Sequence, residues 1–432
     1  MNTTFIRSQG KQPVFEVIVV GGGAAGMMAA ETAALAGAKT LLLERNERLG
    51  RKLLITGKGR CNVTNDCTEE EFFRNVPTNP KFLFSAISRF SPQDCRAYFE
   101  SRGVRLKTER GGRVFPVSDQ AQEIAAAQEE ACRRAGVRIE TGRVNCLRME
   151  RGRIAGVSCE DGREFAAPCV ILATGGKSYP RTGSSGDGYA LAASAGHTVT
   201  ELKPSLVPLV SEDEGCAAMQ GLSLRNVELR LWDARKKKPL FSELGELLFT
   251  HYGMSGPLVL SASSHIRRFE PGRFSVTLDL KPGLDEAQLD ARLLRDFGKF
   301  ANRDFANSLE ELLPRKMIPV VVQRSGIPPL GKVHSITKEQ RRELVRLLKG
   351  LRFSVDGFRP IEEAIVTSGG VKVSEVDPGT MQSKRMPGLY FAGELLDVDG
   401  YTGGFNLQIA YATGYAAGVS AAGSRAQKEE AE

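Results

Sequence analysis

Val17 to Val20 is an unbroken apolar run rich in β-branched side chains, the pattern of a strand buried on both faces of a parallel sheet. Three glycines follow at Gly21, Gly23 and Gly26, and the alanine-rich stretch from Ala24 to Ala36 predicts a helix. Thr40 to Leu43 predicts a second buried strand, with Glu44 at its end. Strand, glycine turn, helix and strand make a βαβ unit. Val104 to Val117 then predicts a hairpin turning at Gly111 and Gly112, and Ser118 is placed to cap a helix from Asp119 to Ala135. Segments 137–150 and 153–165 alternate like strands, and Cys169 to Leu172 is again a buried run.

After about Leu206 the texture changes. Ser223 to Trp232 and Arg273 to Leu280 alternate like exposed antiparallel strands. Asp285 to Leu313 and Thr337 to Lys349 read as amphipathic helices. The pattern of the first part resumes near Gly388.

Composition adds bounds. At 432 residues the chain exceeds the roughly 100–200 residues of one domain, so two or three are expected. An apolar fraction of 41% and a charged fraction of 25% are those of a globular protein with a sizeable core. The uncharged run Val17 to Ala30 is shorter than the roughly 20 residues that span a bilayer and contains a glycine fingerprint, so no membrane partner is expected. The start "MNTTFIRSQGKQP" lacks the apolar segment of a signal peptide, and the end "SRAQKEEAE" reads as a polar, frayed tail. Eight scattered cysteines without C-x-x-C or zinc spacing point to a reducing, cytoplasmic compartment and no metal site. The net charge of +8 is compatible with an anionic partner but does not choose among RNA, a phosphate-rich cofactor and an acidic substrate.

The glycines carry the first chemistry. Gly21, Gly23 and Gly26 fit G-x-G-x-x-G: a tight turn, close approach of backbone to a pyrophosphate, and close helix–strand packing. The helix that follows aims its positive end at the phosphates, and Glu44 stands near the offset expected for a carboxylate on the ribose hydroxyls. NAD-binding and FAD-binding units share this fingerprint. Two later segments arbitrate. The strand ending in Ala173-Thr174-Gly175-Gly176 resembles the second signature of two-dinucleotide-binding flavoproteins. The strand ending at Ala392-Gly393, with Glu394 next and a glycine-rich turn feeding a helix, resembles their third. The cofactor expected is FAD. A second G-x-G-x-x-G does not occur, which argues against a separate NAD(P)H-binding domain.

The expected architecture is α/β: a Rossmann-like FAD-binding domain of the two-dinucleotide-binding flavoprotein type, interrupted by a β-rich module and a helical module. Its expected spans are 1–205 for the first part of the FAD-binding domain, 206–284 for the β-rich module and 285–350 for the helical one. Return strands would occupy 351–387, and the rest of the FAD-binding domain with the tail 388–432.

The segments "GGGAAGMMAA", "RKLLITGKGRCNVTN", "GGRVFP", "ATGGKSYPRTGSSGDGYALAASAGH", "GELLFTHYGMSGP" and "AGELLDVDGYTGGFNLQIAYATGYAAG" together resemble the HI0933-like flavoprotein family over nearly the whole chain. The resemblance implies NAD(P)H-dependent reduction of a C=C bond conjugated to a carbonyl. Family members act on 3-oxo-Δ4 or Δ4,6 bile acids or on uridine in large-subunit ribosomal RNA. By resemblance, the stretch from Arg51 to Asn65 wraps the flavin. Arg51 and Lys52 lie toward the adenosine and pyrophosphate, Gly57 and Gly59 turn against the ring, and Arg60, Cys61 and Asn62 lie beside it. Val144 contacts the adenine through its backbone. The cofactor set is completed by Ala24, Ala25 and Arg45, by Ala173, Thr174 and Gly175, and by Gly393, Glu394, Asp397, Gly404, Asn406 and Leu407.

Reduction of an enone leaves charge on its oxygen and needs a proton at the α-carbon. Cys61 is the first acid to consider, although Arg60 beside it would favour thiolate; its alternative role is packing. His251 and Tyr252, in "FTHYGMSGP", are candidates to donate to the substrate carbonyl, with a structural hydrogen bond the alternative for His251; Tyr401 either shields the flavin or donates, with packing as its alternative. His197, after "AASAG", is expected to cap a helix C-terminus. The run Arg235 to Lys238 is either a solvated hairpin tip or an anchor for phosphate. A small-molecule enone is weakly favoured as substrate over RNA. Two other classes are a non-enzymatic FAD-bound RNA-binding protein and an amine or aminoketone oxidase.

Overall fold

The apolar runs of the chain's first part and of its end assemble into one five-stranded sheet. The computed structural model describes residues 15–266 and 268–423; the amino-terminal segment and the polar tail lie outside them. The chain divides into two compact units, one made of residues up to 203 and from 366 onward, the other of 204–365.

In the first unit the sheet order is Leu389–Phe391, Cys169–Leu172, Val17–Val20, Thr40–Glu44, Arg138–Thr141, and every neighbouring pair is parallel. Val17–Val20, at the centre, is buried at every position, as its lack of alternation predicts. Because all five strands run the same way, their carboxyl ends share one edge of the sheet. The helix Ala24–Leu35 leaves the glycine turn there and is buried over most of its length. It packs against Ala121–Arg134 and against the carboxy-terminal helix Phe405–Gly423. That second contact is backbone on backbone. A Cβ added at Gly414 would stand 2.4 Å from the Ala25 carbonyl oxygen, and one at Gly418 2.5 Å from that of Ala29. Two three-stranded antiparallel sheets complete the unit. One joins Thr64–Asn65, Arg113–Pro116 and Leu106–Glu109; the other joins Val144–Glu150, Arg153–Cys159 and Glu164–Ala166.

The second unit is built on a seven-stranded antiparallel sheet. Its order is Leu351–Val355, Phe274–Asp279, Ser223–Asp233, Phe241–Thr250, Gly253–Ser255, Leu209–Val210, Gly357–Phe358. Alternation along Ser223–Asp233 puts Leu224, Val227, Leu229 and Leu231 into a core shared with the helices Glu286–Lys299, Ile318–Ser325 and Lys338–Lys349. Arg341 reaches Asp290 at 2.6 Å and ties the first of these helices to the third.

Several expectations need correction. The helical segment shares its core with the β-rich segment, so the two form one unit. The chain returns to the first unit at Val366, well before Gly388. Residues 366–387 contain only one three-residue strand and single turns, so they carry no periodicity to read, yet Val371, Val376 and Met381 are fully buried in the first core. The helix begun at Asp285 stops at Lys299, because Phe305, Leu309, Leu312 and Leu313 bury from short turns instead. Ser118 is not the cap of its helix, which starts at Ala121 after Gln120. His197 does not cap either: Gly196 takes the left-handed position, and the imidazole turns inward to the Ser383 hydroxyl at 2.7 Å.

Gly414→Val forces a branched side chain into the Ala25 backbone, and overpacking of this kind costs about 1–3 kcal/mol. The variant is therefore expected to unfold at clearly lower urea concentration, measured by circular dichroism on the apo-protein.

Candidate functional site

Ligands of open parallel α/β sheets bind outside the carboxyl ends of the strands. Here that edge collects the turn Gly21–Gly26, the pair Glu44 and Arg45, the segment Ala173–Gly176 and the segment Ala392–Glu394, each following a strand of the same sheet.

The glycine turn has the geometry its sequence implies. Gly21 has a φ of +105°, and a Cβ there would meet the Ala173 carbonyl at 2.6 Å. At Gly26 a Cβ would stand 1.8 Å from the Gly21 carbonyl, so the helix sits directly on its own turn. Gly23 differs: a Cβ there would meet nothing within 4 Å. Its missing side chain leaves open space at the amino end of the helix, where Ala24 and Ala25 begin the first turn. That turn has neither a side-chain cap nor an acidic residue, so its N–H groups are kept for a ligand. An open glycine beside uncapped amides fits the pyrophosphate of a dinucleotide.

Around this turn the charged side chains are held by hydrogen bonds. Glu44, nearly buried, accepts from the Gly22 amide at 2.7 Å and from the Asn46 backbone and side-chain amides at 2.8 and 2.6 Å. It braces the glycine turn as well as standing where a ribose acid is expected. Arg51 donates to the Asn46 side chain at 2.8 Å. Arg45 and Arg143 converge on Asp187 at 2.9 and 2.8 Å, and Arg143, then Ser185 and Arg45, hold that carboxyl below its ordinary range. Val144, the next residue, is buried at the start of its strand.

The stretch from Arg51 to Asn65 forms a short helix, Arg51–Ile55, and then a tight turn. Its turn is left-handed at Gly57, Lys58, Gly59 and Cys61, with φ between +56° and +84°. Lys52 donates to Glu394 at 2.6 Å and to Ser178 at 2.7 Å. Thr64 donates to Gln408 at 2.7 Å, and Asn65 to the Gly403 carbonyl at 2.9 Å. The stretch is therefore laced along its length to the carboxy-terminal signature. There Gly404 lies against the Thr64 backbone, Asn406 closes the turn through both hydrogen bonds to Gly400, the Gly393 amide donates to the Thr413 hydroxyl at 2.9 Å, and Leu407 packs on the core. The Asp397 carbonyl accepts from the Asn79 side chain at 2.7 Å. Two buried oxygens at this edge, Asn62 Oδ1 and Thr174 Oγ1, have no hydrogen-bond partner among the described residues. Such orphans are rare unless a ligand or water meets them.

Arg60 and Cys61 do not act together. The Arg60 guanidinium stacks over Phe115 at 4.1 Å and pairs with Glu109 and Asp119, which raise its pKa. Cys61 is fully buried, and burial pushes its thiol up to about 12 against a small opposing contribution from Thr56. No cation is among the groups that shift this thiol, which is sealed in the core. Tyr401 is half-buried against the first core, with its amide bonded to the Asn75 carbonyl at 2.9 Å. His251 and Tyr252 belong to the second unit, where their rings meet edge to face at 4.9 Å and Arg359 lies over Tyr252 at 4.7 Å.

Sequence reasoning missed Asn46, Ser178, Asp187, Thr367 and Arg359. Ser178 and Asp187 sit inside a quoted signature, but only its "ATG" had drawn a chemical reading. Thr367 lies in a stretch without a motif.

The parallel sheet, open glycine turn and three converging segments define a dinucleotide-binding α/β protein of Rossmann type. The chain belongs to the HI0933-like family: the model of the HI0933-like protein Rossmann domain matches residues 15–420. It is 35% identical over 409 residues to the 3-dehydro-bile acid delta(4,6)-reductase of Clostridium scindens, covering 94% of this chain and 98% of that one. It is 31% identical over 402 residues to the ribosomal RNA dihydrouridine synthase of Escherichia coli, covering 93% and 96%. The solved 3-ketosteroid delta1-dehydrogenase of Sterolibacterium denitrificans shares the fold with a TM-score of 0.50 at 14% identity, over 95% of this chain and 99% of that one. Among the described residues no helix is long and apolar enough to cross a membrane.

Gly23→Val is expected to fold, because its Cβ meets open space, yet to purify without flavin; the ratio of flavin to protein absorbance and the apo melting temperature test both halves. Iodoacetamide applied to native protein is expected to modify the exposed Cys146 and to spare Cys61 until denaturant is added, read by peptide mass spectrometry.

Proposed function

We propose that this chain is a cytoplasmic FAD-dependent oxidoreductase that uses NAD(P)H to reduce a C=C bond conjugated to a carbonyl, with a 3-oxo-Δ4 or Δ4,6 bile acid as substrate class. The observation that carries the reading is an open, uncapped glycine turn at a three-signature sheet edge, in a chain 35% identical end to end with a bile-acid reductase.

Bound FAD supplies the hydride chemistry between nicotinamide and the unsaturated carbonyl. The chain's own residues do the rest. The first-turn amides from Ala24 and the space at Gly23 would receive the pyrophosphate, Glu44 fixes the turn and would serve the ribose, and Asn62 and Thr174 would offer their unpartnered oxygens to the cofactor. Gly57 and Gly59 let the loop follow the ring, and Lys52 with Glu394 holds that loop in place. Reduction places charge on the substrate oxygen, which hydrogen-bond donors have to meet. Tyr401 Oη is proposed as the proton donor to the α-carbon, with the fully buried Cys61 assigned to packing.

A second reading is reduction of uridine in ribosomal RNA. It is favoured by the 31% identity with the Escherichia coli dihydrouridine synthase and by the exposure of Lys236, Lys237 and Lys238. RNA docking through those lysines would weaken steeply with salt.

The test is anaerobic stopped-flow mixing of NAD(P)H-reduced protein with a 3-oxo-Δ4,6 bile acid and, in parallel, with unmodified ribosomal RNA. Fast return of oxidised-flavin absorbance with the steroid alone is expected. Return with RNA alone transfers the assignment to the second reading, and return with neither overturns both.

A further inference from the structure

Glu394 is held more closely than a carboxylate that merely faces a ligand. One oxygen accepts from Lys52 at 2.6 Å; the other accepts from the Thr367 amide at 2.9 Å and the Ser178 hydroxyl at 3.1 Å. Lys52 in turn donates to Ser178 at 2.7 Å, so lysine, serine and glutamate close a triangle. The Thr367 hydroxyl accepts from the Lys177 amide at 2.8 Å, which fastens the residue before Ser178 to the same cluster. No slack remains beneath it: a Cβ on Gly176 would stand 2.5 Å from the Thr367 hydroxyl and 2.6 Å from the carboxylate. Lys52 and Glu394 keep side-chain exposures of only 23% and 19%, so solvent screens the pair incompletely.

The four residues come from four separate segments. Lys52 lies on the loop that wraps the proposed flavin, Ser178 follows the second signature, Glu394 is in the third, and Thr367 is on the strand by which the chain returns to this unit. We infer that Lys52, Ser178 and Thr367 are positioning residues which, through Glu394, lock the loop at 51–65 to the turn at 393–395, and that this lock sets the affinity for FAD. The inference rests on the FAD reading above. A loop fixed in its bound conformation before the ligand arrives gives up less entropy on binding. Loss of the lock is therefore read mainly as weaker and slower-closing cofactor binding. None of the three residues needs to touch the flavin for this.

The experiment is titration of FAD into apo-protein, followed by quenching of flavin fluorescence, for wild type, Ser178→Ala, Thr367→Val, Lys52→Met, Lys52→Arg and the Lys52→Met/Ser178→Ala double variant. Removing one hydrogen bond to a charged group is expected to raise Kd about tenfold or more in Ser178→Ala and Lys52→Met. Lys52→Arg should recover most of the loss, and the double variant should fall short of the product of the two single effects, because both residues act on one carboxylate. Melting of the apo-proteins separates this from misfolding: Ser178→Ala, which only removes a hydroxyl, is the variant that must stay folded. A wild type that takes up no FAD overturns the functional reading and the inference with it. A wild type that binds, with Ser178→Ala and Lys52→Met binding as tightly or with fully multiplicative effects, overturns the inference alone.

Discussion

Backbone-to-backbone contact at the carboxyl edge of the parallel sheet is the constraint on which the rest depends. The helix that starts at Ala24 has to lie against its own turn on one side and against the carboxy-terminal helix on another. At Gly26 and Gly414 the facing atoms are main-chain carbonyls, closer than any Cβ tolerates. Alanine and glycine along both helices follow from this, and so does the weak apolar stripe of a helix buried nearly all round. The arrangement joins residues some 390 positions apart in sequence, Ala25 and Gly414, before any side chain contributes. The chain's last helix is therefore part of the first motif's packing.

That geometry also decides how the site uses charge. The chain carries an excess of 8 positive charges, yet several cations around the glycine turn are matched: Arg45 and Arg143 by Asp187, Lys52 by Glu394, Arg60 by Glu109 and Asp119, while Arg51 donates to the Asn46 side-chain amide oxygen. Paired charges produce little long-range field and much local order. Under the FAD reading, an anionic cofactor would be met by helix amides and an open glycine face, while the side-chain charges hold loops in register.

How legible this was in the sequence depended on how local the physics is. The strand Val17–Val20, the glycine turn and Thr40–Glu44 were readable because each is specified by neighbours within a few positions. The hairpin at Gly111 and Gly112 was readable for the same reason. The return at Val366 was not, since residues 366–387 reach the core through isolated side chains such as Val371 and Met381 rather than through a repeat. Cys61 shows another limit. The sequence left it open between a proton donor and a packed thiol, and the fold separates it from Arg60: Cys61 has left-handed backbone and is buried in the core, and the Arg60 guanidinium lies over Phe115. In a turn of this handedness, neighbours in sequence are poor guides to neighbours in space.

Lys52 and Glu394 illustrate why motif residues can be identified correctly and still be understood only in the fold. Each was expected at the cofactor on its own account, 342 positions apart. The structure makes them partners of one another, which changes the chemistry available to either. A lone lysine near a flavin would be a fixed positive charge acting on the cofactor's electronics; a lysine neutralised by a glutamate is chiefly a strut. The same holds for Glu44, whose contact with the Gly22 amide means that the acid expected on the ribose is also a brace for the turn that grips the phosphates. Residues that serve a ligand and hold the scaffold together couple the two functions, so cofactor binding at this edge is inseparable from the order of the loops around it.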